Sequence, residues 1–154
     1  MAPQTQTRVV VTSFDPANLL DTLAVETHAP VPAPAAGEIL VRVTARPVNP
    51  ADVFSIMGVY PGFTPASLPA VPGLEGVGVV ADANGCATVK EGDRGVVFVD
   101  AKGGQGSWQE YVAVSAANFL PVPPSVSDET ASQFLVNPVR ALLSLLTLRP
   151  LFNY

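Results

Sequence analysis

Proline and glycine decide most of what this chain can become. There are 16 of the first and 12 of the second in 154 residues, so the apolar runs between them are short. Each proline removes a backbone donor and fixes φ, and that density of breakers favours many short elements joined by turns over long helices. The chain is apolar enough to fold all the same: 48% of it is hydrophobic and 14% charged, a balance that excludes disorder of the whole. Its length suits one domain with a real core.

The local patterns name the elements. Arg8 to Phe14 is predicted as a first strand with Leu23 to Thr27 as its partner, and the Pro30 to Gly37 run as an extended connector. From Glu38 to Ala45 the sequence alternates, with Ile39, Val41, Val43 and Ala45 on one face of a half-buried strand. Asn49-Pro50 opens a short helix through Val53, Phe54 and Ile56, and Gly58 ends it. A Pro/Gly-rich loop runs from Val59 to Pro72. Gly76 to Ala81 is a strand closed by the turn dipeptide Asn84-Gly85. Strands follow at Gly95–Val99, Ser107–Val114 and Phe119–Val122, with Gly103 to Gly106 as a flexible loop. Only then do helices take over: Ser127 caps one through Phe134, and Asn137-Pro138 opens another, rich in leucine and apolar nearly all round. Short strands at turn-punctuated spacing predict a mainly β, barrel-like antiparallel domain followed by one or two helices.

Charge and composition narrow the function. A net charge of −5 with no basic cluster argues against nucleic acid or an anionic membrane as partner. No apolar stretch approaches the ~20 residues of a membrane span. One cysteine, Cys86, cannot form an internal disulfide, which makes a reducing compartment the default, and no clear transit peptide precedes the first strand. One histidine, His28, and one cysteine cannot make a closed zinc site, so no metal is expected. Gly76-x-Gly78-x-x-Ala81 matches a dinucleotide fingerprint in letters alone, because its glycines lie inside a strand rather than at a strand-to-helix turn; close backbone packing is the better reading. Gly103 to Gly106 lacks the Lys-Ser/Thr of a phosphate loop, and Gly106-Ser107 lacks the surroundings of a nucleophile elbow. Cys86 has no nearby base. The residue that stands out is Tyr60, held on a loop between Gly58 and Pro61: a phenol there can donate a hydrogen bond or proton to a developing enolate. On residues alone a packing tyrosine is the simpler reading.

Five segments change that weighting: Gly37-Glu-Ile-Leu-Val-Arg-Val43, Asn49-Pro-Ala-Asp52, Pro72-Gly-Leu-Glu-Gly76, Val89-Lys-Glu-Gly-Asp-Arg94 and Gly106-Ser-Trp-Gln-Glu-Tyr111. Their order resembles the medium-chain dehydrogenase/reductases, from the first strand to about Leu143. The resemblance implies a GroES-like, partly open antiparallel β-barrel as substrate domain over 1–136, with 137–154 starting the linker to a nucleotide-binding Rossmann domain that the chain lacks. Asn49 and Leu74 stand where zinc-dependent members carry Cys and His, which implies the zinc-free branch. Asn49-Pro-Ala-Asp52, Gly58-Val-Tyr-Pro61 and Leu135-Val-Asn-Pro138 resemble the mitochondrial-type 2-enoyl thioester reductases.

That resemblance implies NADPH as cofactor, an enoyl-CoA or enoyl-ACP thioester as substrate, Tyr60 as catalytic residue, and Asn49 and Asn137 beside substrate and cofactor. It implies a mitochondrial site where the composition defaults to the cytoplasm, and it ranks Trp108 well below Tyr60, as structural. Quinone oxidoreductases share the scaffold and are the alternative enzyme; a non-catalytic fragment or interaction module is the alternative outside enzymology. Two departures stand against the family pattern. Arg140 replaces a threonine that approaches the nicotinamide, so a long cation would obstruct the cofactor. The chain also runs into Leu148-Arg-Pro-Leu-Phe-Asn-Tyr154 instead of a Rossmann domain, so this chain alone is expected to turn over negligibly, and its leucine-rich helix to dock on a partner, to associate with another copy or to destabilise the chain.

Overall fold

The computed structural model describes residues 2–148, without the side chains of Arg140, Thr147 and Leu148. Arg149 to Tyr154, the tail singled out above, lie outside the described residues.

Among the described residues seven strands form: β1 (Thr5–Val11), β2 (Leu23–Pro30), β3 (Glu38–Ala45), β4 (Glu75–Asp82), β5 (Arg94–Phe98), β6 (Tyr111–Ser115) and β7 (Phe119–Pro121). β1 and β2 pair as a two-stranded ribbon, and the other five make one sheet in the order β6-β3-β4-β5-β7. Every pairing between these strands is antiparallel. The ribbon closes part of the gap through single bridges, Arg8 to Gln109 and Val11 to Ala70. The result is the partly open antiparallel barrel expected, with three helices, α1 (Pro50–Ile56), α2 (Asp128–Ser132) and α3 (Asn137–Leu148).

β1 begins and ends three residues earlier than the apolar pattern places it. Thr5, Gln6 and Thr7 enter the strand because the Gln6 amide, 2% exposed, is fully used. It donates to the Gln109 side chain (2.9 Å) and the Pro30 carbonyl (3.2 Å), and accepts from the Tyr111 N–H (2.7 Å). A satisfied polar side chain is as good a strand residue as an apolar one. The chain then turns away, and the Phe14 ring packs edge-on against Phe63.

β3 and β4 sit at the centre. Ile39, Val41 and Val43 on β3 join Val80, Val97, Val112, Val114 and Phe119 in the barrel interior. The other face of β4 is covered too: Val77 packs with Val96 and with Ala131 of α2. A strand buried on both faces reads as a continuous apolar run, which is why Gly76 to Ala81 shows no alternation. Gly78 allows β3 to come this close, since a Cβ there would lie 2.3 Å from the Arg42 carbonyl oxygen. The fingerprint-like glycines are therefore packing residues in mid-strand. A third cluster, Val11, Ile56, Phe63, Ala70 and Leu74, lies beneath α1 and carries Tyr60, Trp108 and Val136 at its margin. The loop from Gly103 to Gly106 is more tightly held than its composition suggests: Val71 N–H donates to the Gly104 carbonyl and Gly106 N–H to that of Val71, both at 2.8 Å.

α2 starts as predicted at Ser127, whose hydroxyl accepts from the Thr130 N–H. Asp128 at its first turn pairs with Arg94 and accepts from the Thr44 hydroxyl, pinning α2 over β3 and β5. α3 differs from every other element. Leu142, Leu145 and Leu146 are 55%, 69% and 54% exposed, and none of the core clusters includes a residue of this helix.

Candidate functional site

The site grows from the first turn of α1. Pro50 opens the helix, and Asp52 turns its carboxylate back to the Asn49 N–H at 2.7 Å, one arm of a capping box. Asp52 and Asn49 thereby form a capping box at the helix start, and the closest hydrogen bonds of the Asn49 side chain run beyond the helix. Its Nδ2 donates to Glu75 Oε1 at 3.0 Å, and its Oδ1 accepts from Asn137 Nδ2 at 2.8 Å. The helix ends at Gly58, which has φ +74°, a left-handed conformation that glycine adopts without strain. The next two residues turn back, with the Val59 and Tyr60 N–H groups both donating to the Phe54 carbonyl (3.0 and 3.2 Å). That pair of bonds fixes Tyr60 beside the helix. Its ring lies over Gly62, where a Cβ would come within 2.5 Å of Tyr60 Cε1.

Asn49, Tyr60 and Asn137, the three residues singled out from the sequence, thus line one cavity of about 430 Å³ with Pro50, Ala51, Phe54 and Val136. The sequence positions are far apart, and the fold alone joins them. Asn49 is 2% exposed, Tyr60 is half-buried and Asn137 is open to solvent. Arg140, expected to reach toward the same place, is described in its backbone alone.

Two carboxylates that the sequence patterns do not single out lie behind this wall. Glu75, at the start of β4, is 1% exposed. Besides the Asn49 amide it takes the backbone N–H groups of Leu135 (2.8 Å) and Val136 (3.0 Å) on Oε2. It therefore clamps the segment that leads into Asn137. Asp52 is equally buried, and its Oδ1 has no hydrogen-bond partner. Burial pushes its carboxyl up to about 6, helped by the negative charge of Glu75 and opposed by the Asn49 amide and the dipole of the Leu74 amide. The signals were present in the sequence: Glu75 interrupts the most apolar strand, and Asn49-x-x-Asp52 has capping-box spacing.

The other sequence candidates lie apart. His28 is exposed on β2. Cys86 packs partly against the barrel core, its thiol lowered by the hydrogen bond with Thr88. Leu74 is a buried apolar contact beneath α1. Trp108 packs against the same cluster as Tyr60, its indole nitrogen buried without a partner. Among the described residues no three His, Cys, Asp or Glu side chains are grouped to hold a metal ion, and no helix is long and apolar enough to cross a membrane.

The open antiparallel barrel belongs to a known class. Residues 35–124 match the alcohol dehydrogenase GroES-like domain. The chain is 37% identical over 109 residues to the mitochondrial enoyl-[acyl-carrier-protein] reductase of Caenorhabditis elegans, covering 70% of this chain and 30% of that one. It is 38% identical over 115 residues to the synaptic vesicle membrane protein VAT-1 homolog of Rattus norvegicus, covering 74% and 27%. Among solved structures, Escherichia coli quinone oxidoreductase complexed with NADPH superposes with a TM-score of 0.73 at 26% identity, over 90% of this chain and 40% of that one. The chain belongs to the alcohol dehydrogenase GroES-like domain family, within the medium-chain dehydrogenase/reductases. It spans under half the length of each relative.

Proposed function

We propose that residues 1–136 form the substrate-side domain of an NADPH-dependent oxidoreductase that reduces trans-2-enoyl thioesters, and that 137 onward begins the connection to its cofactor-binding half. The observation that supports this reading is the meeting of Tyr60, Asn49 and Asn137 in one cavity. The lining suits the reacting ends of both ligands: it is neutral, part amide and phenol, and part apolar at Pro50, Ala51, Phe54 and Val136. None of its described side chains is a cation, so the phosphates of a dinucleotide or of coenzyme A would be held elsewhere.

When bound, a reduced nicotinamide would supply hydride to the β-carbon of the enoyl group. The π electrons then move toward the α-carbon and the thioester oxygen. Tyr60 gives its phenolic proton to the α-carbon, directly or after hydrogen-bonding the enolate, and recovers a proton from solvent. Pro50, Ala51, Phe54 and Val136 give the reacting carbons an apolar wall on one side. The exposed leucines of α3 support association through that helix with a second copy, and the mitochondrial name of the nematode relative supports the same compartment for this protein.

The test uses the complete natural protein with NADPH and a crotonyl thioester, and with a quinone for comparison. Tyr60→Phe is expected to lower thioester turnover by about 10²–10⁴-fold and to leave the unfolding midpoint in place, since the ring stays. Wild-type turnover in the variant, or faster reduction of the quinone than of the thioester, would overturn the reading.

A further inference from the structure

The hydrogen bonds behind the cavity run in one direction only. Glu75 receives three N–H groups, from Leu135, Val136 and the Asn49 side chain, so both of its oxygens are acceptors. A side-chain amide has a donor end and an acceptor end, and which faces which partner is decided by the network around it. Because Glu75 must be met by a donor, Asn49 turns Nδ2 toward it and is left with Oδ1 on the far side. That oxygen in turn requires a donor, and Asn137 supplies Nδ2 at 2.8 Å. The second amide is then oriented as well: its Oδ1 has no donor among the described residues, and it belongs to a residue lining the cavity. A buried carboxylate thus sets the polarity of an exposed asparagine through a buried one.

We infer that Glu75 is a positioning residue that makes Asn137 present a hydrogen-bond acceptor to the cavity, and that the cavity selects a ligand through an amide N–H and disfavours a carboxylate in the same place. This rests on the reading of the cavity as the reaction site. The charge around it points the same way. Glu75 and Asp52 lie behind the wall, both 1% exposed, and no cation is among the described lining side chains. At the Asn137 end of the wall, beside Glu75, such a field repels an anion and favours the positive end of an N–H dipole. Two sources of amide N–H fit the proposed reaction: the primary carboxamide of a nicotinamide ring and the amides of a pantetheine arm. They share the chemistry, and the experiment separates them.

The experiment is NMR on the isotopically labelled chain, following the side-chain amide signals of Asn49 and Asn137 and the ring of Tyr60. The probes are nicotinamide, nicotinate and pantetheine at equal concentration. The expected result is that nicotinamide, pantetheine or both shift the Asn137 and Tyr60 signals, while nicotinate leaves them in place. A shift by one amide alone identifies the source. Glu75→Gln brings an NH₂ donor to Asn49 and frees its amide to turn over, so the Asn49 and Asn137 signals are expected to move together and the preference for amide over acid to disappear. Should that variant fail to fold, Asn137→Leu, at an exposed position, removes the acceptor directly and is expected to lose the amide shift at Tyr60. Nicotinate shifts as large as those of nicotinamide, as Arg140 would cause if it reached the cavity, overturn the inference. So does the absence of any shift with either amide. These signals are read without turnover, so failure here leaves the Tyr60→Phe test standing, and the reverse.

Discussion

At the scale of single residues, Asp52 carries a penalty that can be measured. Its carboxyl is buried beside Glu75, with one oxygen unpartnered, and titrates near 6 in the folded protein rather than at the ordinary aspartate value of 3.8. Between those two pH values the folded form holds a proton that the unfolded form has lost. Stability therefore falls as pH rises through this window, and the whole penalty is present at neutral pH. The width of the window puts that penalty at about 2–3 kcal/mol. Asp128 works in the opposite sense lower down: its hydrogen bond from Thr44, then its pairing with Arg94, hold its carboxyl below the usual range. Its contribution is lost only as pH falls below that range, so the two effects do not overlap. Asp52→Asn keeps an acceptor for the Asn49 N–H and removes the charge. It is expected to flatten the pH dependence of the urea midpoint between about pH 4.5 and 6.5 and to stabilise the protein at pH 7 by about 1–2 kcal/mol, the new N–H offsetting part of the gain. A wild-type midpoint that stays flat across that window would remove the basis for this assignment. The same residues mark the limit of sequence reading. Tyr60 could be picked out by its place between Gly58 and Pro61, and Asn49 and Asn137 by resemblance, yet Glu75 escaped. A lone carboxylate in an apolar strand reads as an irregularity until the amides of Leu135 and Val136, some sixty residues on, are seen to converge on it.

At the scale of elements, the strands were legible wherever one face or both are apolar, because burial dictates the pattern. Alternation placed β3 to the residue, and an unbroken apolar run located β4, which the fold then covers on both sides. What escaped were elements held by side-chain hydrogen bonds instead. The start of β1 depends on Gln6 finding Gln109, more than a hundred residues away, and no local window contains that information. The glycine-rich loop after Ala101 likewise reads as flexible from composition, although backbone bonds to Val71 fasten it. β4 offers the sharpest test of why its glycines are there. Gly78→Ala would push a methyl group into the Arg42 carbonyl at the middle of the β3–β4 pairing. Neither strand can retreat without disturbing the core on its other side, so a loss of about 1–3 kcal/mol is expected. Gly103→Ala is the matched control, since a Cβ there meets nothing within 4 Å, and is expected to change stability by less than ~0.5 kcal/mol. Equal unfolding midpoints for the two variants would show that β4 yields where the packing says it cannot.

At the scale of the whole molecule, the barrel and α3 stand in different relations to stability. The barrel closes its own core, and each of the three buried clusters is drawn from residues before Asn137. The helix is tied to it at one end, where Glu75 holds the amides of Leu135 and Val136 and Asn49 holds Asn137. Beyond that anchor, Leu142, Leu145 and Leu146 expose most of their surface, and burial is what would make leucine stabilising. Replacing all three with glutamine, which costs little helix propensity, should therefore leave the barrel's unfolding midpoint within ~0.5 kcal/mol of the original. The same change removes the apolar face, so binding of an environment-sensitive apolar dye and concentration-dependent association in light scattering are expected to fall together. A stability loss above ~2 kcal/mol would instead mean that the helix folds back onto the barrel in solution. The cavity would then feel the change as well, because the anchor of α3 is also part of its wall. Asn137 lies where barrel and helix join and also lines the cavity, so in that case a change in the Tyr60 ring signals between wild type and triple variant is expected.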